Sequence, residues 1–193
     1  KKILTTKNAI LYYMCFFWNE FTICVVCLWF PTFLVMSYEK IGLTTAKASE
    51  IFSLYFVGMV VSRIFIGFIE GKGGKEKILY AGYLLTFIGL ILFVLSKGNN
   101  ICLRMAVFLF GFGMGPTCPI LTNIAKDIFG DDQLRGAMGL IVFFSRVGSM
   151  LSGALIGYAL LLFGNGSYYI IFLFGIIISV LTFNKLVSLV NRK

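Results

Sequence analysis

Apolar residues occur along the chain in six long runs that are separated by short polar segments. The runs are apolar on all sides and do not alternate with the period of two that is typical of barrel strands. A helix needs about 20 apolar residues to cross a bilayer, and lipid requires its backbone amides to be paired within the segment. The pattern therefore predicts an all-α, polytopic membrane bundle of six transmembrane helices, forming a single domain over residues 1–193. The predicted helices cover residues 9–36, 48–69, 78–95, 101–125, 136–163 and 168–189.

The composition leads to the same class of protein. Hydrophobic residues make up 59% of the 193 residues and charged residues 13%, whereas soluble domains have about 45–50% and 25%. This surplus of apolar side chains exceeds what a soluble core can bury, so it must face lipid. The sequence contains no His, no nucleophile elbow, no phosphate-binding loop and no pair of carboxylates within the runs. We therefore expect no enzyme activity, no metal site and no cofactor.

The net charge of +9 arises from 17 Lys and Arg against 8 Asp and Glu. In a soluble protein this charge would suggest a nucleic-acid partner. Here the basic residues lie mostly between the apolar runs, where they indicate membrane topology and contact with anionic lipids. They concentrate at both chain ends and in the second and fourth polar segments. The distribution predicts that both termini are cytoplasmic, in a bacterial-type plasma (inner) membrane, with the lipid bilayer rather than nucleic acid as partner.

Three ionisable side chains lie well inside the apolar runs: Glu20, Arg63 and Arg146. A charge within a bilayer costs about 3 kcal/mol or more, so each is a candidate for function. Glu20, which follows Asn19, is a candidate for proton coupling because removal from water favours the protonated form of a carboxylate. The alternative is an ion pair with Arg146 that only holds the bundle together. Arg63 is assigned to structure or gating.

Small residues in the fourth and fifth runs predict features of helix geometry. The fourth run contains GFGMGPTCP (111–119), so its helix is predicted to bend or unwind near the middle. In the fifth run, Gly148 and Ser152 are four residues apart, which is typical of membrane helices that approach each other closely.

The segment SRIFIGFIEGKGGKEKIL (62–79) resembles the cytoplasmic signature of the major facilitator superfamily, in which an Arg precedes a glycine-rich helix end and a basic loop. Gly71 stands where that signature has an acidic residue, which puts the usual gating ion pair in doubt. The stretches LWFPTFL (28–34), GFGMGPTCPILTNIAKDIFG (111–130) and RGAMGLIVFFSRVGSMLSGALIG (135–157) are similar to the seventh, tenth and eleventh helices of these transporters. The residues assigned to the cytoplasmic gating motif are Arg63, Gly67, Glu70, Lys72, Gly74 and Lys75.

The resemblance implies the C-terminal six-helix half, a 3+3 inverted repeat, of a twelve-helix secondary transporter. Such transporters work by alternating access, and the partner of this chain would be an N-terminal half that precedes Lys1. The implied cargo is a small polar solute. With Arg146 the site suits an organic anion, and with Asn19 and Glu20 alone it suits a sugar moved by a proton symporter. The residues implied for substrate binding or proton coupling are Asn19, Glu20, Thr117, Asn123 and Arg146.

Two other interpretations stay open at this point. The chain could be a non-transporting membrane scaffold or assembly protein that keeps the fold. It could also be a complete six-helix unit that pairs with itself. The start at Lys1 rather than at Met favours a piece of a longer protein.

Overall fold

The computed structural model describes residues 6–37, 44–69, 74–164 and 166–190, and within these ranges every regular element is an α-helix. The helices are α1 (Lys7–Ser37), α2 (Thr45–Ile69), α3 (Lys75–Leu95), α4 (Asn100–Met114), α5 (Thr117–Phe163) and α6 (Gly166–Val190). Most predicted helix ends lie within three residues of the observed ones, because Gly, Asn and Lys mark the turns. The exceptions are the predicted ends at residues 125 and 136, which border the fourth polar segment.

Five helical stretches in the described part of the chain are long and apolar enough to cross a membrane. They are Asn8–Met36, Thr45–Phe68, Lys75–Leu95, Asn100–Phe163 and Gly166–Ser188. Large apolar side chains on these stretches are open to the surroundings, including Leu161 at 86% and Phe68 at 76% exposure. Large apolar side chains that are this exposed require contact with an apolar environment rather than with water. The helices therefore have the character of a multi-pass membrane bundle.

The fourth stretch, Asn100–Phe163, is 64 residues long. At about 1.5 Å per residue it would extend about 96 Å, roughly three times the thickness of the hydrocarbon core. Two interruptions divide it: the turn between α4 and α5, and Gly130, whose φ of 66° and ψ of 168° are not helical. The sequence predicted a polar break over residues 126–135, but these residues are helical except at Gly130. Asp, Lys and Gln mark this break as polar, yet they are compatible with a helix.

The turn between α4 and α5 falls where the glycines and Pro116 predicted a bend. The Gly115 N–H donates to the Gly111 carbonyl at 2.8 Å, but Pro116 has no N–H with which to continue the helix. Thr117 is buried, and its hydroxyl donates to the carbonyl of Met114 at 2.8 Å. This hydrogen bond satisfies a carbonyl that the end of α4 leaves without its helical partner.

The chain forms two compact units. The second unit comprises Leu28–Thr117, and in it α4 packs against both α2 and α3. The packing uses glycine in place of larger side chains. A Cβ atom on Gly111 would overlap the carbonyl oxygen of Tyr55, and one on Gly113 would lie 2.5 Å from the carbonyl oxygen of Gly82. These backbones touch directly, as small residues allow in membranes.

The first unit comprises the residues up to Cys27 and those from Cys118 onward. In this unit α1 packs against α5, where a Cβ atom on Gly148 would overlap the backbone of Phe17. The close approach that the spacing of Gly148 and Ser152 predicted is thus present at Gly148. On α6, a Cβ atom on Gly175 would lie 2.7 Å from the hydroxyl of Thr22. Helix α1 therefore contacts both α5 and α6 through glycine.

An ion pair joins α2 and α4 in the second unit. The Nη2 atom of Arg104 lies 2.8 Å from Oε1 of Glu50, and both side chains are well exposed. We expect Arg104→Gln to lower the free energy of unfolding by less than about 1 kcal/mol, since exposed pairs are weak. Thermal unfolding in detergent measures this, with Lys47→Gln as a control that removes another exposed charge near the start of α2. A loss several times larger would contradict the assignment of this pair to the surface.

Candidate functional site

A cluster of polar side chains lies between α1 and α5 in the first unit. It consists of Glu20 and Cys24 on α1 and of Arg146 and Ser149 on α5. The Cys24 thiol donates to the Ser149 hydroxyl at 3.0 Å. The positive charge of Arg146 acts on both Glu20 and Cys24. The structure thus brings together two of the residues that the sequence assigned to the site, Glu20 and Arg146, and adds two more.

Helix geometry explains why these four side chains meet. Glu20 and Cys24 are four residues apart on α1, while Arg146 and Ser149 are three apart on α5, so each pair lies on one helix face. The contact of Gly148 with Phe17 holds the two backbones close together at this level. The polar faces of α1 and α5 therefore pack against each other.

Exposure differs between the members of the cluster. Glu20 is partly buried and Arg146 is exposed, whereas the neighbouring Asn19 is completely buried. A guanidinium group that is open on one side can receive an anion through its fork of N–H donors. A partly buried carboxylate beside it can hold or release a proton. The arrangement suits binding and proton exchange rather than bond-breaking chemistry.

The other two residues that the sequence assigned to the solute site have different surroundings. Thr117 belongs to the second unit, where its hydroxyl donates to the Met114 carbonyl at the turn. Asn123 lies on α5 in the first unit and is partly buried. The contacts of Thr117 favour a part in the bend between α4 and α5.

Arg63, Gly67, Gly74 and Lys75 of the signature segment lie in the second unit, while Glu70 and Lys72 fall outside the described residues. The Arg63 Nε atom donates to the carbonyl of Gly115 at 3.2 Å, so Arg63 links α2 to the turn after α4. Gly67 has open space where a Cβ atom would lie. Gly74 is the N-cap of α3 and Lys75 is its first residue. Arg63, one of the described members of the motif, therefore contacts the bent region.

Cys24 and Ser149 are the members of the cluster that the sequence did not assign to the site. Cys24 lies four residues from Glu20, and Ser149 lies three residues from Arg146. This spacing from a charged group within an apolar run is the signal that could have identified them. Cysteine in a membrane helix normally behaves as a small hydrophobe, so its contact with Ser149 became visible only in the structure. In the described ranges, no group of three or more His, Cys, Asp or Glu side chains is placed to hold a metal ion.

Comparison with known proteins gives a match over almost the whole chain. Residues 9–191 match the profile of the family described as the Major Facilitator Superfamily. The match includes all four polar residues of the cluster and the signature segment.

Two curated relatives are similar to parts of the chain. Monocarboxylate transporter 13 of Rattus norvegicus is 24% identical over 134 residues, which cover 68% of this chain and 31% of the relative. An MFS-type transporter of Gibberella moniliformis (strain M3125 / FGSC 7600) is 27% identical over 139 residues, which cover 72% of this chain and 33% of the relative. The aligned part of the chain thus spans about a third of the length of each relative.

Proposed function

Because the chain belongs to the major facilitator superfamily, we propose that it forms the C-terminal six-helix half of a secondary transporter. That transporter moves a small polar solute across the membrane by alternating access. In this proposal the stretch Asn100–Phe163 crosses the membrane twice, so the half has six crossings arranged as a 3+3 inverted repeat, with both termini in the cytoplasm. An N-terminal half of the same protein completes the solute pathway.

The observation that carries the proposal is the polar cluster between α1 and α5, where Cys24 contacts Ser149 and the charge of Arg146 acts on Glu20. An ionisable side chain within a membrane is costly, and cation and carboxylate together mark a path for ions, protons or solutes. Here Arg146 is exposed, and its charge acts on Glu20.

Of the two solute classes that the sequence left open, Arg146 favours an organic anion over a sugar. The guanidinium group forms two parallel hydrogen bonds to a carboxylate, which gives both affinity and orientation. One of the two relatives is named a monocarboxylate transporter, and a monocarboxylate carries the group that Arg146 would bind. Glu20 would then supply the proton that makes the protein a symporter.

Removal of the Arg146 charge tests this proposal. We expect Arg146→Gln to raise the KM for uptake of a monocarboxylate at least about tenfold, because a charged hydrogen bond contributes about 1.5–3 kcal/mol. The measurement is initial uptake of radiolabelled lactate and of other short monocarboxylates by the full-length protein in proteoliposomes. Arg146→Lys retains the charge without the fork of donors and should give an intermediate KM.

Lys126→Gln is the matched control, because Lys126 is an exposed cation on the same helix and lies outside the cluster. Its KM should equal that of the wild type. Transport of neutral sugars with no anion uptake would overturn the assignment to organic anions. Failure of the wild-type protein to move any solute, together with stable capture of a partner protein, would instead support the scaffold.

A further inference from the structure

A crevice of about 340 Å³ opens between α2, α3 and the end of α4, wholly within the second unit. Its volume falls in the range of about 300–1,000 Å³ that is typical of sites for small molecules. Its walls are formed mainly by apolar side chains and by the ring of Pro116. The lining side chains include Phe65, Ile66, Leu85, Phe112 and Lys77.

The walls of the crevice offer almost no hydrogen bonds to an occupant. Ser62 is a lining residue, but it is buried and its hydroxyl donates to the Met59 carbonyl of its own helix at 2.9 Å. A polar solute or ordered water needs several polar partners, which this surface does not provide. The occupant that fits is therefore a hydrocarbon, and the helices around the crevice are apolar enough to lie in lipid.

Among the residues that the structure describes, Lys77 is the charged side chain that lines the crevice. It is the third residue of α3, so it lies only about 3 Å along the axis from the start of the helix. Helix ends of this kind lie near the level of the lipid headgroups, and Lys extends its ammonium group toward them. Lys77 is exposed and thus available to a phosphate group.

We propose that this crevice binds one acyl chain of an anionic phospholipid, with the phosphate of its headgroup at Lys77. The chain of the lipid lies along Phe65, Ile66 and Leu85 and ends near Pro116. Because Pro116 lies in the turn between α4 and α5, the bound lipid contacts the segment where α4 bends. The proposal rests on the shape and chemistry of the second unit and does not depend on the identity of the solute.

Native mass spectrometry of the full-length protein in detergent tests the site, with phosphatidylglycerol and phosphatidylcholine of identical chains as probes. We expect Lys77→Gln to weaken phosphatidylglycerol binding about fivefold and to weaken phosphatidylcholine binding less, because the choline cation offsets the charge of its phosphate. Ala81→Trp fills the crevice and should remove the tightest bound lipid with either headgroup. Ala81 is exposed and lines the crevice, so this change should not prevent folding.

Two controls match these variants. Lys47→Gln removes an exposed lysine of α2 that does not line the crevice, and Leu84→Trp adds the same ring at an exposed position outside it. Both should bind lipid as the wild type does. Unchanged phosphatidylglycerol binding by Lys77→Gln, or an unchanged tight lipid in Ala81→Trp, would overturn the proposal. A cryo-EM map of the full-length protein in nanodiscs with another protein segment between Phe65 and Leu85 would also overturn it.

Discussion

Replacement of Glu20 by Gln is expected to abolish proton-driven accumulation of the solute while solute exchange continues. Gln has nearly the same shape as Glu and still forms hydrogen bonds, but it cannot take up or release a proton. A proton gradient can drive a carrier only if protons bind one conformational state of the carrier more tightly than another. The measurement compares two assays in proteoliposomes: accumulation under an inward proton gradient, and exchange of labelled for unlabelled solute without a gradient.

The proposed symport would arise from the position of Glu20 near Arg146. The charge of Arg146 acts on the Glu20 carboxylate, so in this proposal the ionised carboxylate competes with an anionic solute for the same guanidinium group. Protonation of Glu20 removes this competition and leaves Arg146 open to the solute. Solute binding and proton binding then favour each other, which is the reciprocal coupling that symport requires. In Glu20→Gln the competition is absent at every pH, so the solute binds without a proton.

Glu76→Gln is the control for this variant, since Glu76 lies in the first turn of α3 and outside the cluster. It should accumulate solute as the wild type does. If Glu20→Gln still accumulates solute under the gradient, Glu20 is not the coupling group. If it loses both accumulation and exchange and also unfolds at a lower temperature, the alternative of a purely structural ion pair with Arg146 is correct.

Much of the fold could be predicted because lipid imposes a simple rule on the sequence. Every crossing must be a long apolar helix, so the runs and the short polar segments mark most helix ends. The turn after Met114 was also predictable, since Pro116 cannot donate the hydrogen bond that would continue α4. Gly130 was not predicted as a single kink within helical residues. Polarity marked residues 126–135, but polar side chains are common to helices and loops and do not distinguish between them.

The candidate site could be predicted in its charged members and less well in the others. Glu20 and Arg146 are conspicuous because a charge is rare in an apolar run. The contact between Cys24 and Ser149 depends on how α1 and α5 face each other, and the sequence pattern leaves that rotation open. The assignment of Thr117 to solute binding came from the family resemblance and stays a prediction; in the structure its hydroxyl donates to a backbone carbonyl at the turn.

Gly111→Ala is expected to destabilise the second unit by about 3 kcal/mol or more. Ala favours a helix over Gly by about 1 kcal/mol, so intrinsic propensity alone predicts the opposite sign. In the structure, however, a Cβ atom on Gly111 would overlap the carbonyl oxygen of Tyr55. This neighbour is backbone, which cannot rotate away, so α2 and α4 must separate. Overpacking of a core costs about 1–3 kcal/mol, occasionally more, and van der Waals contact is a main source of helix association in lipid.

The matched control is Gly139→Ala, in which the same atom is added to a helix with open space around it. Gly139 is exposed on α5, and no atom beyond the nearby backbone of its own helix lies within 4 Å of its added Cβ atom. We expect this variant to unfold in SDS titrations like the wild type or to be slightly more stable, by up to about 1 kcal/mol. Equal stability of the two variants would show that α2 and α4 do not touch at Gly111. A loss confined to Gly111→Ala locates a tight contact of α2 with α4 beside Tyr55, one helical turn before the bend at Gly115.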